Sequence, residues 1–387
     1  MSDRRELRIY SIGRGNEGSF MSKKNTSPCV DNACGSADKK INSRLGCIGG
    51  QAVLEGIMMK CKGDLSIAVR RYDGDVVVRT KKYKTAKERS IFFRIPLIRG
   101  CCGFVDSLIT SFSTLTASTD MLGLEEMGEP GKVEKWLTKV FGKSITAIIS
   151  AVSVVLGVAL ALGLFVWLPT FIVGLLKGWL GFNSVVQSAL EGVLKIAIFI
   201  AYIGLTALIP DIKRTYQYHG AEHKTIFCYE SGEELTVQNV KKQKRLHPRC
   251  GTAFMFVILI LSIFVTAAVP WNAIYDAINI NATWIRVIGK IILLPIVVGI
   301  GYEFIMYAGK HDNLFTKICS APGLWMQKIT TKEPDDDQIE VAIISVKSVL
   351  REEYPDFIIP YEKTAEEKAE EAKVNAEDSD SGEESVG

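Results

Sequence analysis

Long apolar stretches alternate with charged blocks along the chain. A helix needs about 20 apolar residues to cross the hydrocarbon core of a bilayer. Four stretches meet this length, at 144–176, 184–209, 251–271 and 287–307. The first is longer than one span requires, and we expect Pro169 to break its end into a tilted or re-entrant segment. The pattern predicts a mainly α, polytopic membrane protein with about four transmembrane helices in a domain over 144–310.

The polar blocks predict smaller soluble elements. Residues 65–83, "LSIAVRRYDGDVVVRTKKY", contain two β-rich runs joined by Asp-Gly, which predicts a β-hairpin. Together with "GGQAVLEGIMMK" this hairpin gives a small cytoplasmic α+β portion over 46–95. Residues 96–143 have apolar positions at helical spacing but also carry charges, which favours interfacial or amphipathic helices. An apolar face within 339–350 predicts a helix in a cytoplasmic segment over 311–360.

The two ends of the chain have the composition of disordered tails. Residues 1–45 are rich in Ser, Asn, Gly and Lys, and residues 361–387 are acidic and poor in apolar side chains. The net charge of +3 is small because the basic N-terminal half is offset by the acidic tail. The nine cysteines are odd in number and contain no C-x-x-C, so reduced thiols are expected rather than a disulfide framework.

Basic residues concentrate in one connection between the apolar stretches. The 211–250 loop carries eight Lys and Arg residues, whereas 177–183 and 272–286 carry one each. The positive-inside rule then places 211–250 and both termini in the cytoplasm. Anionic lipids of the bilayer account for the basic residues, and no nucleotide-binding fingerprint is present, so the lipid bilayer is an expected partner and nucleic acid is not.

The candidate chemistry begins with "YHGAEHKTI" in this loop. The chain has only four histidines, and two of them, His219 and His223, are spaced i, i+4 in an H-x-x-E-H pattern. On a helix they share one face, and two neutral imidazoles suit Zn²⁺ or a similar divalent metal. Glu222 can act there as a general base on activated water. The five residues alone are a weak signal, since polar histidines on helices are commonly solvated or hydrogen-bonded.

A second motif, "LHPRCGTAF", lies just before the third apolar stretch. A helical hairpin would bring its His247 and Cys250 to the same membrane face as His219 and His223. His219, His223 and His247 are the first-choice metal ligands, because a catalytic zinc site keeps an open position beside three protein ligands. Cys250 is either a fourth ligand or a buried thiol.

Glu303 lies inside the last apolar stretch, about one turn from its cytoplasmic end. A carboxylate at membrane depth is costly without a partner, so it is a candidate functional residue. It could be an additional metal ligand, a partner of a ligand histidine, or a countercharge for Arg214 or Arg249. Snorkelling to the interface, or a hydrogen bond to a neighbouring helix, is the alternative.

The motifs together resemble a known family. "GGQAVLEGIMMK", "RTYQYHGAEHKTI", "LHPRCGTAF", "GYEFIMYAG" and "PGLWMQKITTKEPDDDQIEVAI" are similar to the YqhQ-like family of bacterial membrane proteins, the domain of unknown function 1385. The resemblance covers about residues 46–352 and implies a predicted metal-dependent enzyme in the bacterial inner membrane. The shared motifs contain these candidate residues: His219, Glu222, His223, His247, Arg249, Cys250 and Glu303.

Two main classes of function are compatible with these motifs, and transport, a third, is disfavoured because four spans carry few intramembrane charges. The first is a membrane-embedded, metal-dependent enzyme, with a hydrolase favoured and Zn²⁺ as the expected metal. The second is a non-catalytic membrane protein in which a metal or hydrogen bonds staple the 211–250 loop, and the soluble ends bind an unknown protein partner. An open coordination position would favour the enzyme, and four protein ligands would favour the staple.

Overall fold

The computed structural model describes residues 8–12, 44–83, 95–123, 145–278, 283–308 and 313–359. Five strands form one antiparallel sheet in the order β1-β5-β4-β3-β2. They are β1 (Arg8–Ile12), β2 (Ile48–Val53), β3 (Gly56–Cys61), β4 (Asp64–Arg70) and β5 (Val76–Lys82). The predicted acidic tail and most of the predicted N-terminal tail lie outside the described residues.

The predicted hairpin is confirmed as β4 and β5. Its turn contains Asp73 and Gly74, and Gly74 adopts φ +94°, a left-handed conformation that glycine reaches without strain. The Asp73 side chain accepts a hydrogen bond from the backbone N–H of Asp75 at 3.0 Å. Strand β1 lies within the segment expected to be disordered, and it pairs with β5 from Arg8 opposite Thr80 to Ile12 opposite Val76. Without β1, strand β5 would expose an unpaired edge. Pairing with this edge explains why the short strand β1 joins the sheet.

The described part of the chain contains eleven α-helices, which are numbered here in chain order. Seven are associated with the apolar stretches or lead into them: α1 (Ile98–Met121), α2 (Ile145–Leu162), α3 (Leu168–Leu180), α4 (Ser184–Thr206), α7 (Gly251–Ala268), α8 (Trp271–Ile278) and α9 (Thr283–Ala308). The other four are α5 (Pro210–Glu230), α6 (Val237–Lys242), α10 (Leu314–Thr330) and α11 (Asp336–Val349). The mainly α class with a small antiparallel sheet is confirmed.

Within the described part of the chain, three helical stretches are long and apolar enough to cross a membrane by themselves: Ala151–Leu180, Ser184–Thr206 and Trp284–Phe304. A fourth crossing is possible if the pair Phe254–Ala268 and Trp271–Ile278, which are bent by 55°, forms one span. Large apolar side chains on these helices face outward, among them Leu160 at 70% exposure. Because such surface is unfavourable in water, these helices suit a lipid environment, as the hydropathy pattern predicted.

The expectation that Pro169 breaks the first span was wrong. The helix passes from α2 into α3 through a π-helical turn, Gly163–Trp167, that ends two residues before Pro169. A wider turn relieves the clash of the proline ring with the preceding carbonyl and accommodates its missing N–H. The Thr170 hydroxyl also donates to the carbonyl of Val166 at 2.8 Å, which satisfies a backbone group inside the apolar layer.

The sheet joins the membrane helices to the candidate site. One face packs on α5 and α11, where Ile57, Met59 and Val78 meet Tyr218 and Ile339. The opposite face packs against the end of α1 through alternating residues of the same strands, including Met58, Ile67 and Val77. The alternation follows the two-residue period of a strand, so both sheet faces are buried. The predicted C-terminal helix is thus α11, and its buried apolar face covers the sheet.

Candidate metal centre

Helix α5 carries three of the candidate residues. It begins at Pro210, a favoured first helical position, directly after the turn that ends α4. His219, Glu222 and His223 lie in its middle, where the helix passes between the sheet and the segment after α10. A Cβ at Gly220 would lie against the carbonyl oxygen of Lys332, well inside contact distance. Only glycine therefore allows this close approach, which sets the position of both histidines.

The structure brings His219, His223 and Cys250 together. One potential ligand atom from each lies within 4.8 Å of the other two. The Nε2 atom of His219 is 3.2 Å from the Sγ atom of Cys250, and the two imidazole centroids are 4.4 Å apart. His223 and Cys250 are buried, and His219 is partly exposed. This group, called the histidine site below, could hold a metal ion.

Backbone carbonyls determine which nitrogen of each histidine is available. The Nδ1 atom of His219 lies 2.9 Å from the carbonyl oxygen of Thr330, and that of His223 lies 2.6 Å from the carbonyl oxygen of Arg245. A carbonyl only accepts hydrogen bonds, so the neutral imidazoles carry their protons on Nδ1. Both Nε2 atoms are then left with lone pairs. A carbonyl behind the ligating histidine is the usual supporting arrangement of protein metal sites.

Cys250 is the N-cap residue of α7, and its sulfur lies at the positive end of that helix. Burial by itself would raise the pKa of its thiol. The proximity of His223 and the hydroxyl and backbone N–H of Thr252 outweigh burial and lower the pKa below its usual value. The Thr252 hydroxyl lies 3.1 Å from the sulfur. A thiolate is the metal-ligating form of cysteine, so this environment favours a ligand over an inert thiol.

Glu222 lies beside the histidine site with little solvent contact. Burial raises the pKa of its carboxyl to about 8, although the charge of His219 and the backbone N–H of Ala52 act in the opposite direction. Its Oε2 atom is buried and has no hydrogen-bond partner among the described residues. A Cβ at Gly50 of strand β2 would come within 2.9 Å of the other carboxyl oxygen. The glycine pair of "GGQAV" thus leaves room for this carboxyl.

His247 lies near the histidine site but outside the group of three. Its ring centroid is 5.5 Å from that of His223. The backbone N–H of Arg249 donates to its Nδ1 atom at 3.3 Å, so the neutral ring carries its proton on Nε2. That Nε2 is 3.8 Å from the carboxylate of Glu230. The proton therefore occupies the nitrogen that a metal would need.

Arg249 supports this arrangement through a carboxylate that the sequence reasoning missed. Its guanidinium forms an ion pair with Glu230, whose side chain is 5% exposed. The backbone N–H of Gly46 donates to the same carboxylate at 2.8 Å. Burial would raise the pKa of Glu230, but the nearby His247 imidazole, the hydrogen bond from the Gly46 N–H and the charge of Arg249 lower it. Glu230 follows His223 by seven residues, two helical turns, which was the only available sequence signal.

The structure does not bring Glu303 to the histidine site. Both carboxylate oxygens bind the guanidinium of Arg99 on α1, with the Nε–Oε1 distance at 2.6 Å. Arg214 and Arg249, the two cations considered from the sequence, are paired with Glu55 and Glu230 instead. The alternative considered from the sequence, a hydrogen bond from Glu303 to a neighbouring helix, is therefore the one that the structure supports. Its role is to join α1 to α9.

Gln327 was also missed by the sequence reasoning. Its side-chain amide makes two hydrogen bonds with the backbone of His247, each of 2.8 Å, and so holds the loop before α7. Eighty residues separate the two positions along the chain, and nothing in the local pattern of either segment indicates the contact.

The arrangement is chemically a two-nitrogen, one-sulfur donor set with a carboxyl group beside it. The imidazole and thiolate ligands suit Zn²⁺ better than Mg²⁺ or Ca²⁺, which prefer oxygen. Three protein ligands leave a tetrahedral ion one further position. Glu222, which interacts electrostatically with His219 and Cys250, contributes a group that can accept or donate a proton beside the histidine site.

The comparisons with known proteins agree with the motif resemblance. A profile of the family described as "Protein of unknown function (DUF1385)" matches residues 95–352. A relative from Bacillus subtilis (strain 168), "Uncharacterized protein YqhQ", is 35% identical over 304 residues, which cover 78% of this chain and 92% of the relative. No solved structure matches the chain significantly. The chain belongs to the DUF1385 family.

Proposed function

We propose that this protein is a membrane-embedded, metal-dependent hydrolase with Zn²⁺ at the histidine site. The observation that carries the proposal is the approach of His219, His223 and Cys250 to within 4.8 Å, with Glu222 next to them. His219 and His223 have their Nδ1 atoms bonded to carbonyls and their Nε2 atoms free to ligate. The residues present therefore fit the metal in number, chemistry and tautomer.

Glu222 is proposed as the general base. Bound zinc would supply Lewis-acid activation of a water molecule near neutral pH. A bound cation would counteract the effect of burial on the pKa of Glu222 and favour the carboxylate. Its buried Oε2 atom has no hydrogen-bond partner among the described residues, so this carboxylate could take up a proton. Gly50 leaves space at the carboxyl, and the sheet behind it restricts movement of the side chain. His247, Glu230 and Arg249 position the loop that carries Cys250.

The histidine site is proposed to face the cytoplasm from the inner membrane of a bacterium, with both chain termini on the same side. The support is the concentration of Lys and Arg in 211–250, the segment that carries all three residues of the histidine site. Substrate would then enter from the cytoplasm or from the inner leaflet. A single cysteine introduced at Lys242 should be unreactive to impermeant reagents in intact cells, and one at Asn279 should react.

Metal analysis of the detergent-purified full chain tests the ligand set. We expect about one divalent ion per chain in the native protein and a large loss in His219→Ala, His223→Ala and Cys250→Ser, because each removes a third of the protein ligands. His247→Gln removes an imidazole that lies outside the group of three, so it should lose much less metal than any of these variants. Retention of full zinc by His219→Ala and His223→Ala, or loss of zinc only in His247→Gln, would refute the assignment.

Glu222→Gln separates catalysis from a structural role of the metal. The amide keeps the shape of the side chain and removes the base, so the variant should retain metal. Loss of a general base typically lowers the rate by about 10²–10⁴. We therefore expect failure to complement a strain that lacks the gene. Full complementation by a metal-loaded Glu222→Gln protein would favour the non-catalytic staple.

A further inference from the structure

A second buried polar group lies at the other end of the membrane helices. Glu191 of α4 lies between Arg286 and Lys290 of α9, and the three side chains are 1 to 6% exposed. We call these three residues the arginine cluster. The Nε atom of Arg286 is 3.2 Å from Oε1 of Glu191, and Lys290 is paired with Oε2. The Gln187 amide also donates to Oε1 at 3.0 Å, so the carboxylate is well supplied with donors.

The charges of the arginine cluster do not balance. Among the described residues, Glu191 is the only carboxylate at ion-pair distance from either Arg286 or Lys290. Lys195, one turn further along α4, donates to the Ser262 hydroxyl at 3.2 Å and adds a third cation nearby. Buried charge is costly unless it is paired, and more so at membrane depth. The surplus positive charge therefore indicates a binding place for an anion.

Arg286 provides the second, independent observation. Its Nη2 donates to the Ser188 hydroxyl at 2.6 Å, and its guanidinium lies 4.9 Å from the ring centre of Trp271. Its Nη1 atom is fully buried and has no hydrogen-bond partner among the described residues. A buried guanidinium N–H without an acceptor is unfavourable. The planar guanidinium of an arginine can donate such an N–H to a phosphate oxygen.

The position of the cluster indicates the source of the anion. Ser188 lies about 6 Å along the axis from the start of α4, because each helical residue rises about 1.5 Å. The opposite end of α4 leads directly into α5 and the histidine site. Trp284 is 56% exposed at the beginning of α9, as is common at the headgroup level of a bilayer. The cluster thus lies near the membrane surface opposite the histidine site.

We propose that the arginine cluster binds a phosphate group, through Arg286 and Lys290, at the membrane surface opposite the histidine site. The phosphate belongs to an anionic lipid headgroup or to free phosphate, since both offer the same tetrahedral oxyanion. Basic pockets between membrane helices are known sites for lipid headgroups. Entry requires the Trp271 indole to move from Arg286, and Trp271 begins α8 at the 55° bend after α7.

Thermal unfolding of the full chain in a neutral detergent tests the proposal. Phosphatidylglycerol is compared with diacylglycerol, which has the same tails but no phosphate, and sodium phosphate is compared with sodium chloride at equal ionic strength. We expect saturable stabilisation by phosphatidylglycerol and none by diacylglycerol. Equal saturable stabilisation by sodium phosphate would identify free phosphate as a sufficient ligand. Equal effects of the two lipids, with no effect of phosphate, would overturn the proposal.

Variants locate the binding. Arg286→Gln should weaken phosphate or phosphatidylglycerol binding by about tenfold or more, as expected for loss of a charged hydrogen bond. Lys177→Gln, a cation in the last turn of α3 outside the cluster, should bind like the native chain. If Arg286→Gln does not fold, Arg286→Lys retains the charge and loses the fork, and should also bind more weakly. Native affinity in Arg286→Lys and in a folded Arg286→Gln would refute the site.

Discussion

The two ends of helix α4 lead to buried polar groups of opposite character. At one end, the histidine site combines two imidazole nitrogens and a thiol, and Oε2 of Glu222 has no hydrogen-bond partner among the described residues. At the other end, Nε and Nη1 of Arg286 are buried and have no hydrogen-bond partner among the described residues. An unpaired acceptor beside soft ligands suits a cation, and an unpaired donor among cations suits an anion. At these two places, the unsatisfied atoms of Glu222 and Arg286 therefore match the charge of the partner proposed for each.

The largest effect is expected from Glu191→Gln, at the arginine end. The substitution removes the one carboxylate paired with Arg286 and Lys290 among the described residues, and leaves two buried cations. Breaking a buried ion pair by removing one partner typically costs about 3–5 kcal/mol. Unfolding in mixed detergent micelles should show this loss in the free energy of unfolding.

Glu340→Gln is the control for this variant. Glu340 is 54% exposed and pairs with Arg70, so its loss should cost about 1 kcal/mol or less. A Glu191→Gln protein as stable as Glu340→Gln would mean that the arginine cluster is not a strained group of charges. The contrast between the two ends would then disappear.

At the histidine end the largest effect should come from Gly220→Ala. The new methyl group would collide with the backbone of Lys332, which cannot move without displacing the segment after α10. Overpacking of this kind costs about 3 kcal/mol. The same displacement would shift the carbonyl of Thr330 behind His219, so metal content should fall as well.

Gly157→Ala provides the comparison for Gly220→Ala. Gly157 lies within α2, and no heavy atom lies within 4 Å of a Cβ built there. The substitution should be neutral, or stabilising by about 1 kcal/mol, as usual for glycine to alanine in a helix. Similar stability of the two alanine variants would show that α5 is not held close to Lys332.

The spacing of residues predicted one part of the histidine site and missed another. His219 and His223 are four apart on one helix, so helical geometry alone places their rings together. Whether His247 or Cys250 can be the third metal ligand depends on the backbone of a loop, because the Arg249 N–H fixes the tautomer of His247. No periodic pattern encodes such a loop conformation.

Hydropathy depends only on neighbouring residues along the chain. It therefore predicted the spans and could not predict which distant residues pair with the buried charges. A span is a local property of about 20 residues, and its signal is averaged over many side chains. The partner of Glu303 is Arg99, 204 residues earlier, and the pair exists only because α1 packs on α9. The sheet shows the same division, since the Asp-Gly turn is local and the pairing of β1 with β5 is not.

A smaller loss is expected from Glu230→Gln, which tests the support of the histidine site. The amide cannot replace the charge paired with Arg249, and we expect a cost of about 2 kcal/mol relative to Glu340→Gln. The folded state lowers the pKa of Glu230. Its contribution should therefore be present above the usual glutamate value of about 4.3 and be lost as the pH falls through the lowered pKa. An unchanged acid limb of the stability profile in Glu230→Gln would contradict this assignment.

The smallest expected losses of stability come from removing single hydroxyl groups, and they compare the two ends of α4 most directly. Ser188→Ala removes the 2.6 Å acceptor of Arg286 Nη2, which then keeps only a 3.5 Å contact with the Ser184 carbonyl in a buried place. Thr252→Ala removes a hydroxyl 3.1 Å from Cys250, whose sulfur keeps its imidazole neighbours. A hydrogen bond from a guanidinium is worth about 1.5–3 kcal/mol. Sulfur is a weak hydrogen-bond acceptor, so the bond from Thr252 should be worth about 1 kcal/mol or less. Ser188→Ala should therefore be the more destabilising in lipid-free detergent, and added phosphatidylglycerol should reduce only its deficit. Equal losses in both variants, unaffected by lipid, would show that the two ends do not differ in the charge of the partner they lack.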